Sequence, residues 1–123
     1  MALVNKVDLK LQVEIDASIK YQIVTYCFFN EILISNSDLK FLSELAKSGK
    51  VELTKFCNNL VKKEIFKSPQ SARNAITKAE KKKLLVKNGI NKKTILLNKT
   101  INVQTSGLVL LDYKILGSEA QES

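Results

Sequence analysis

The sequence contains no histidine, and its two cysteines, Cys27 and Cys57, stand apart in the apolar contexts TYCFF and TKFCNNL with no CxxC pair. Tetrahedral zinc sites draw on sets of cysteine and histidine, so two isolated thiols leave such a site short of ligands unless carboxylates or a second chain contribute. Thiols in these surroundings are expected to be reduced and buried in the core. There is also no glycine-rich phosphate loop and no GxSxG element. Without these elements or a histidine base, a nucleophile would have to act unactivated, which argues against an enzyme. Asp8, Glu14 and Asp16 fall at alternate positions of an expected strand, and therefore on its solvated face rather than in an acid–base pair or a metal site. The residue pattern calls for no cofactor and no small-molecule substrate.

Long apolar runs are missing as well. No stretch approaches the roughly 20 residues needed to cross a bilayer, and MALVNKVDLK lacks the apolar centre of a signal peptide. A protein made inside a cell is expected. The basic segments KKEIFK and KAEKKK do not change this expectation, because the helix that carries the second has an alanine-rich inner face, too small to insert into lipid. No membrane partner is expected. There are no internal repeats, and no low-complexity tract beyond KAEKKK.

What is present is a 123-residue chain, 45% hydrophobic and 26% charged, which is enough apolar material for one core in one domain. Lys and Arg number 20 against 12 Asp and Glu, for a net charge of +8. The excess is uneven. Residues 55–99 hold 13 basic residues against Glu64 and Glu80 alone, a local net of +11, while the rest of the chain nets −3. Such asymmetry points one face at something negative, either nucleic acid or an acidic protein surface. The plain alternative is a solvated lysine face that aids solubility, because 19 of the 20 basic residues are lysine.

From Leu9, LKLQVEIDA alternates apolar Leu9, Leu11, Val13 and Ile15 with polar residues and predicts a half-buried strand. SIKYQIVTYCFFNE predicts a helix from Ser18 to about Asn30, although its β-branched and aromatic content also suits a strand. In ILISNSDLKFLSELAKSGK, Asn36 or Ser37 caps a helix with Leu39, Phe41, Leu42, Leu45 and Ala46 in one stripe, and Gly49 ends it. VELTKFCNNLVKKEIF sets Leu53, Phe56, Cys57, Leu60, Val61 and Ile65 at helical spacing. The next segment, FKSPQSARNAITKAEKKKLL, starts a basic helix at Ser68 and Pro69 that runs to about Leu85 and gathers Ala72, Ala75, Ile76 and Ala79 on its inner side. KLLVKNGINKKTILLN reads as strand, turn and strand about Asn88 and Gly89. GLVLLDYKILG is a further strand before the polar tail SEAQES, expected to be mobile.

Helix, helix, longer basic helix and basic hairpin, over residues 35–98, resemble the winged helix-turn-helix family. The resemblance rests on SNSDLKFLSELAKSG, ELTKFCNNLVKKEIF, SPQSARNAITKAEKKKLLVK and the NGINKK hairpin. It implies an α+β fold with a three-helix core and a β-hairpin wing, to which terminal strands are added. Residues 1–34 then form an N-terminal strand and helix, 35–98 the winged-helix core, and 99–123 a C-terminal strand and tail. In the family, the third helix enters the DNA major groove and the wing follows the backbone or minor groove. Carried onto this sequence, the outward helix face is Gln70, Asn74, Thr77 and Lys81, flanked by Arg73 and Lys78. Lys92 and Lys93 in the wing, with Lys82 and Lys83, would add attraction to phosphate. Asn and Gln make paired hydrogen bonds to adenine, Arg to guanine, and Lys neutralises phosphate. Glu80, seven residues from Arg73, is placed to engage Arg73 or Lys83 instead.

A second resemblance covers nearly the whole chain. IKYQIVTYCFFNEILISNSDLKFLSELAKSG, FKSPQSARNAITKAEKKKLL and GLVLLDYKIL are similar to small proteins encoded among the virion genes of crAss-like bacteriophages. It implies a structural part of the particle, such as a ring subunit of the neck between portal and tail. The terminal strands suit that role, because each needs a partner, found either within the chain or in a neighbour's sheet. Tyr21, Tyr26, Phe28 and Phe29 crowd one expected helix as core or subunit interface rather than as a base-stacking platform. An outward-facing Phe28 or Phe29 would mark a docking surface. The leading expectation is therefore a non-enzymatic winged-helix subunit of a homo-oligomeric or virion assembly, located in the virion and partnered by neighbouring protein subunits. The alternative is a cytoplasmic winged-helix regulator or replication protein that binds duplex DNA sequence-specifically.

Overall fold

The computed structural model describes residues 4–106 and 109–118, with side-chain surroundings for 14–106. The chain is α+β. In order, its elements are β1 (Val4–Val13), α1 (Ile15–Phe29), α2 (Asn36–Ser48), β2 (Val51–Glu52), α3 (Leu53–Lys62), α4 (Pro69–Lys81), β3 (Leu85–Asn88), a short 3-10 turn (Ile90–Lys92), β4 (Thr94–Leu97) and β5 (Val109–Ser118). The described strands form a three-stranded antiparallel sheet in the order β2-β4-β3 and a separate two-stranded ribbon, β1-β5.

Two helices begin at reciprocal caps. Ser35 Oγ accepts from the Asp38 N–H and Asp38 Oδ2 from the Ser35 N–H, both at 3.1 Å. The cap is thus Ser35 rather than Asn36 or Ser37, because only from Ser35 does the third residue onward carry a carboxylate that can reach back. Before α4, the Ser71 N–H donates to Ser68 Oγ at 3.1 Å and the Ser68 N–H to Ser71 Oγ at 3.2 Å, with Pro69 at the first helical position. At the start of α1 the expected strand through Ile15 is corrected, since Ile15 is already helical and Glu14 is the N-cap residue. Asp16 lies in the first turn, where a carboxylate suits the positive helix end, and it pairs with Lys47 of α2 at 3.3 Å. Glu14 and Asp16 therefore do not share a strand face.

Three helices end alike, without glycine. After α1 the Glu31 N–H donates to Phe28 O and the Ile32 N–H to Cys27 O. After α3 the Glu64 N–H donates to Val61 O and the Ile65 N–H to Leu60 O; after α4 the Lys83 N–H donates to Glu80 O and the Leu84 N–H to Ala79 O. These are Schellman motifs, and Glu31, Glu64 and Lys83 sit in the left-handed region with φ of 57°, 60° and 62°. The apolar residue that follows each one turns back to the core, where Leu84 is fully buried and Ile32 and Ile65 partly so. The basic helix consequently stops at Lys81 instead of near Leu85, and α3 stops at Lys62, short of Ile65.

One hydrophobic cluster joins all four helices to the sheet. Ile19, Ile23 and Cys27 of α1 meet Phe41, Leu42 and Leu45 of α2, Phe56, Cys57 and Leu60 of α3, and Ala72, Ile76 and Ala79 of α4, with Leu85 and Ile95 from the sheet. Helix α1 thus packs in the same core as residues 35–98. Both thiols are buried in this core and free of disulfide, and burial pushes both up, outweighing the nearby cations, Lys82 for Cys27 and Arg73 with Lys87 for Cys57. Residues after β4 return along α1. Gln22 Nε2 donates to Gln104 O at 3.0 Å while the Gln104 N–H donates to Gln22 Oε1 at 2.6 Å, and Ile101 is buried beneath.

The β3–β4 hairpin closes through five residues between the paired Asn88 and Thr94. Gly89 has φ 83°, ψ −174°, and a Cβ there would lie 2.8 Å from Thr94 Oγ1. Asn91 and Lys92 supply the remaining left-handed residues, at φ 57° and 54°. The terminal strands pair with each other, from Val4 opposite Ser118 to Val13 opposite Val109. This register sets Val7, Leu9 and Leu11 against Ile115, Tyr113 and Leu111, and Asp8 against Lys114. The expected mobile tail lies, beyond Ser118, outside the described residues.

Candidate functional site

Helix α4 turns Ala72, Ile76 and Ala79 inward, and this small-residue face lets it lie close on the core. Outward it exposes Gln70, Asn74, Lys78 and Lys81, with Gln70 Nε2 donating to Asn74 Oδ1 at 3.0 Å. Thr77 and Arg73 are half-buried. Arg73 Nη2 donates to Thr54 Oγ1 of α3 at 2.8 Å, and Glu80 pairs with Lys87 of β3 at 3.5 Å. Glu80 therefore engages neither Arg73 nor Lys83, because strand β3 brings Lys87 to it.

The β3–β4 hairpin and α4 meet around the start of α3. The Leu53 N–H donates to Lys93 O at 2.7 Å, and the next residue, Thr54, receives Arg73. Arg73 thus stands beside the hairpin turn whose exposed residues include Lys92 and Lys93. The other flank of α4 faces the α1–α2 connection. There Asn74, Lys78 and Lys82 line an open groove of about 600 Å³ with Ser35, Asp38 and Phe66. Lys82 Nζ donates to Leu33 O at 2.5 Å, so Lys82 also ties α4 to that connection. The candidate residues are accordingly split by the helix. Arg73 and the hairpin lysines lie toward α3, Asn74, Lys78 and Lys82 toward the α1–α2 connection, and Lys81 is exposed near the helix end.

An apolar flank adjoins the second groove. Phe28 and Phe29 are each 75% exposed, with ring centroids 5.5 Å apart, and Leu33 is 87% exposed. An open groove of about 460 Å³ is lined by Val24, Phe28, Leu33 and Leu39, and it shares Leu33, Ile34 and Ser35 with the groove beside α4. Sequence reasoning alone misses the flank's wider extent, through Val24 and Leu33. Its signal is nonetheless present, since α1 carries apolar residues at Tyr21, Val24 and Phe28 as well as at Ile19, Ile23 and Cys27, more than one buried face requires.

Elsewhere on α2, Glu44 accepts from Lys47 at 3.0 Å and from Lys63. Burial alone would raise this carboxyl, but the two ammonium groups outweigh it and hold Glu44 below the ordinary carboxylate range. Among the described residues, no group of three His, Cys, Asp or Glu side chains comes together to hold a metal ion, and no helix is long and apolar enough to cross a membrane. No protein-family model, curated protein or solved structure matches the chain.

Proposed function

We propose that the chain is a non-enzymatic winged-helix subunit that works by docking onto other protein chains, as a structural member of a phage particle such as a neck ring. The order α2-β2-α3-α4-β3-β4, with β4 central in the sheet and a basic α4 beside a lysine-bearing hairpin, fits a winged helix. Winged helices serve protein docking as well as DNA, so the reading rests on which surface is exposed. The observation that carries the docking reading is the exposure of Phe28, Phe29 and Leu33, because apolar side chains clustered on a surface mark contact with another chain. The basic face would then meet acidic neighbours or packaged nucleic acid. Native mass measurement of the particle that contains this chain tests the reading. A large multi-subunit assembly is expected, and a chain found only free in solution refutes it.

A second reading, a sequence-specific duplex DNA binder, is favoured by the exposed Gln70, Asn74, Lys78 and Lys81 on one helix. It predicts that replacing Lys92 and Lys93 with alanine weakens all DNA sites alike and lowers the salt slope of log K by about 1.8, at roughly 0.9 for each phosphate no longer neutralised. Absence of duplex binding at low salt removes it.

A further inference from the structure

Helix α1 is apolar on two sides, and only one of them faces the core. Ile19, Ile23 and Cys27 are buried, whereas Ala17, Tyr21, Val24 and Phe28 recur at steps of four, three and four on the outer side, the last three of them exposed. That spacing is the seam along which one helix packs on another. Exposed Lys20 stands beside the start of the seam and exposed Glu31 just past its end. Among the described residues seven large apolar side chains are exposed, and five of them, Tyr21, Val24, Phe28, Phe29 and Leu33, belong to this one stretch.

We infer that the occupant of this face is α1 of a second copy of the chain, laid antiparallel across a two-fold axis near Val24. In that arrangement Val24 meets its own counterpart, Tyr21 meets Phe28 of the second copy, and Lys20 comes within reach of the second copy's Glu31. A parallel copy would instead set lysine beside lysine and glutamate beside glutamate, which is repulsive. The five side chains expose roughly 500–600 Å² together. Complete cover of all five on both copies, with Phe29 and Leu33 closing over the ends of the seam, would bury at most about 1,000–1,200 Å², the lower bound for a specific interface. Nucleic acid does not suit this face, because residues 17–33 carry one lysine and one glutamate and no net charge. The inference rests on the docking reading above and names the partner at its apolar flank. A two-fold interface closes on itself, so joining pairs into a larger assembly falls to other surfaces, such as the outer edges of the β1-β5 ribbon.

Sedimentation equilibrium of the purified full chain across concentration tests it. A dimer is expected. Val24→Glu and Phe28→Glu should each raise its dissociation constant at least ~30-fold, the effect of removing an interface hot spot, while the far-UV circular dichroism of the chain stays unchanged. Lys20→Glu and Glu31→Lys should each weaken the dimer about fivefold, and the double exchange should return it to within about threefold of the original. A monomer at every concentration, a dimer indifferent to Phe28→Glu, or a double exchange that fails to restore affinity overturns the inference. The two readings fail separately. A chain that is monomeric alone yet built into a large particle rules out this pairing and keeps the docking role, whereas a free dimer held by α1 that enters no particle keeps the pairing and rules out the virion role.

Discussion

Glycine at the left-handed helix ends should make this protein more stable. Glu31, Glu64 and Lys83 each hold the C′ position of a Schellman motif at positive φ. An L-residue in that conformation costs about 1–2 kcal/mol relative to its preferred regions, a cost glycine escapes for want of a Cβ. Glycine also enlarges the unfolded ensemble, which returns about 0.4–1 kcal/mol of the gain. The net expectation is a stabilisation of about 0.5–1 kcal/mol per site. Glu64 and Lys83 give the cleanest measurement, because both side chains are exposed and Glu31 also borders the apolar flank. They end different helices, so the double variant Glu64→Gly/Lys83→Gly should gain about 1–2 kcal/mol, near additivity. For a domain of this size that raises Tm by roughly 4–8 °C. Urea unfolding followed by far-UV circular dichroism should show a higher midpoint with unchanged m. Lys82→Gly is the control, since Lys82 has φ −81°, where glycine gains nothing from positive φ, costs entropy and gives up the bond to Leu33 O, and it should destabilise. The reasoning is refuted if Glu64→Gly and Lys83→Gly lower the midpoint, or if they raise it no more than Lys82→Gly does.

At Gly89 the expected sign is reversed. Its φ/ψ lies in a region open almost only to glycine, and an alanine Cβ would meet Thr94 Oγ1 at 2.8 Å, so Gly89→Ala should cost about 1–3 kcal/mol by urea unfolding. The Glu44 cluster should be pH-sensitive. A carboxyl held low by Lys63 and Lys47 stabilises the fold above its unfolded pKa and loses that contribution as pH falls through its folded value. Glu44→Gln should therefore cost about 0.5–1 kcal/mol at neutral pH, given that both lysines are partly solvated, and the gap from the parent should close below about pH 4.

Where sequence and structure agree, the signals were local. Ser68 and Pro69 mark the start of α4 because a cap and a proline act on the backbone beside them, and Ala72, Ile76 and Ala79 mark its inner face because helical spacing is fixed. The hairpin was legible at Gly89, which takes positive φ, but Asn88 proves a paired strand residue rather than part of the turn, and Asn91 and Lys92 supply the other left-handed positions. The misses came from partners distant in the chain. Lys83 and Leu84 look like continued helix until Leu84 is drawn into a core pocket, at which point the strained lysine becomes the less costly arrangement. Val51 and Glu52 become a strand only because Ile95 and Thr94 lie alongside them. The bond from Arg73 to Thr54, nineteen positions earlier, likewise had no local signal. The apolar outer side of α1 could be read as residues but not as surface, because the alternation of buried and exposed faces depends on which side the other helices occupy.

The clasp between Gln22 and Gln104 has a mechanical consequence. Strand β1 runs directly into α1 at Ile15, and the chain leading to β5 is fastened to the same helix at Gln22, about 10 Å further along its axis. Both legs of the ribbon are thus anchored on one rod. A force that tugs the ribbon is therefore passed through either leg to α1, which Ile19 and Ile23 hold to the core.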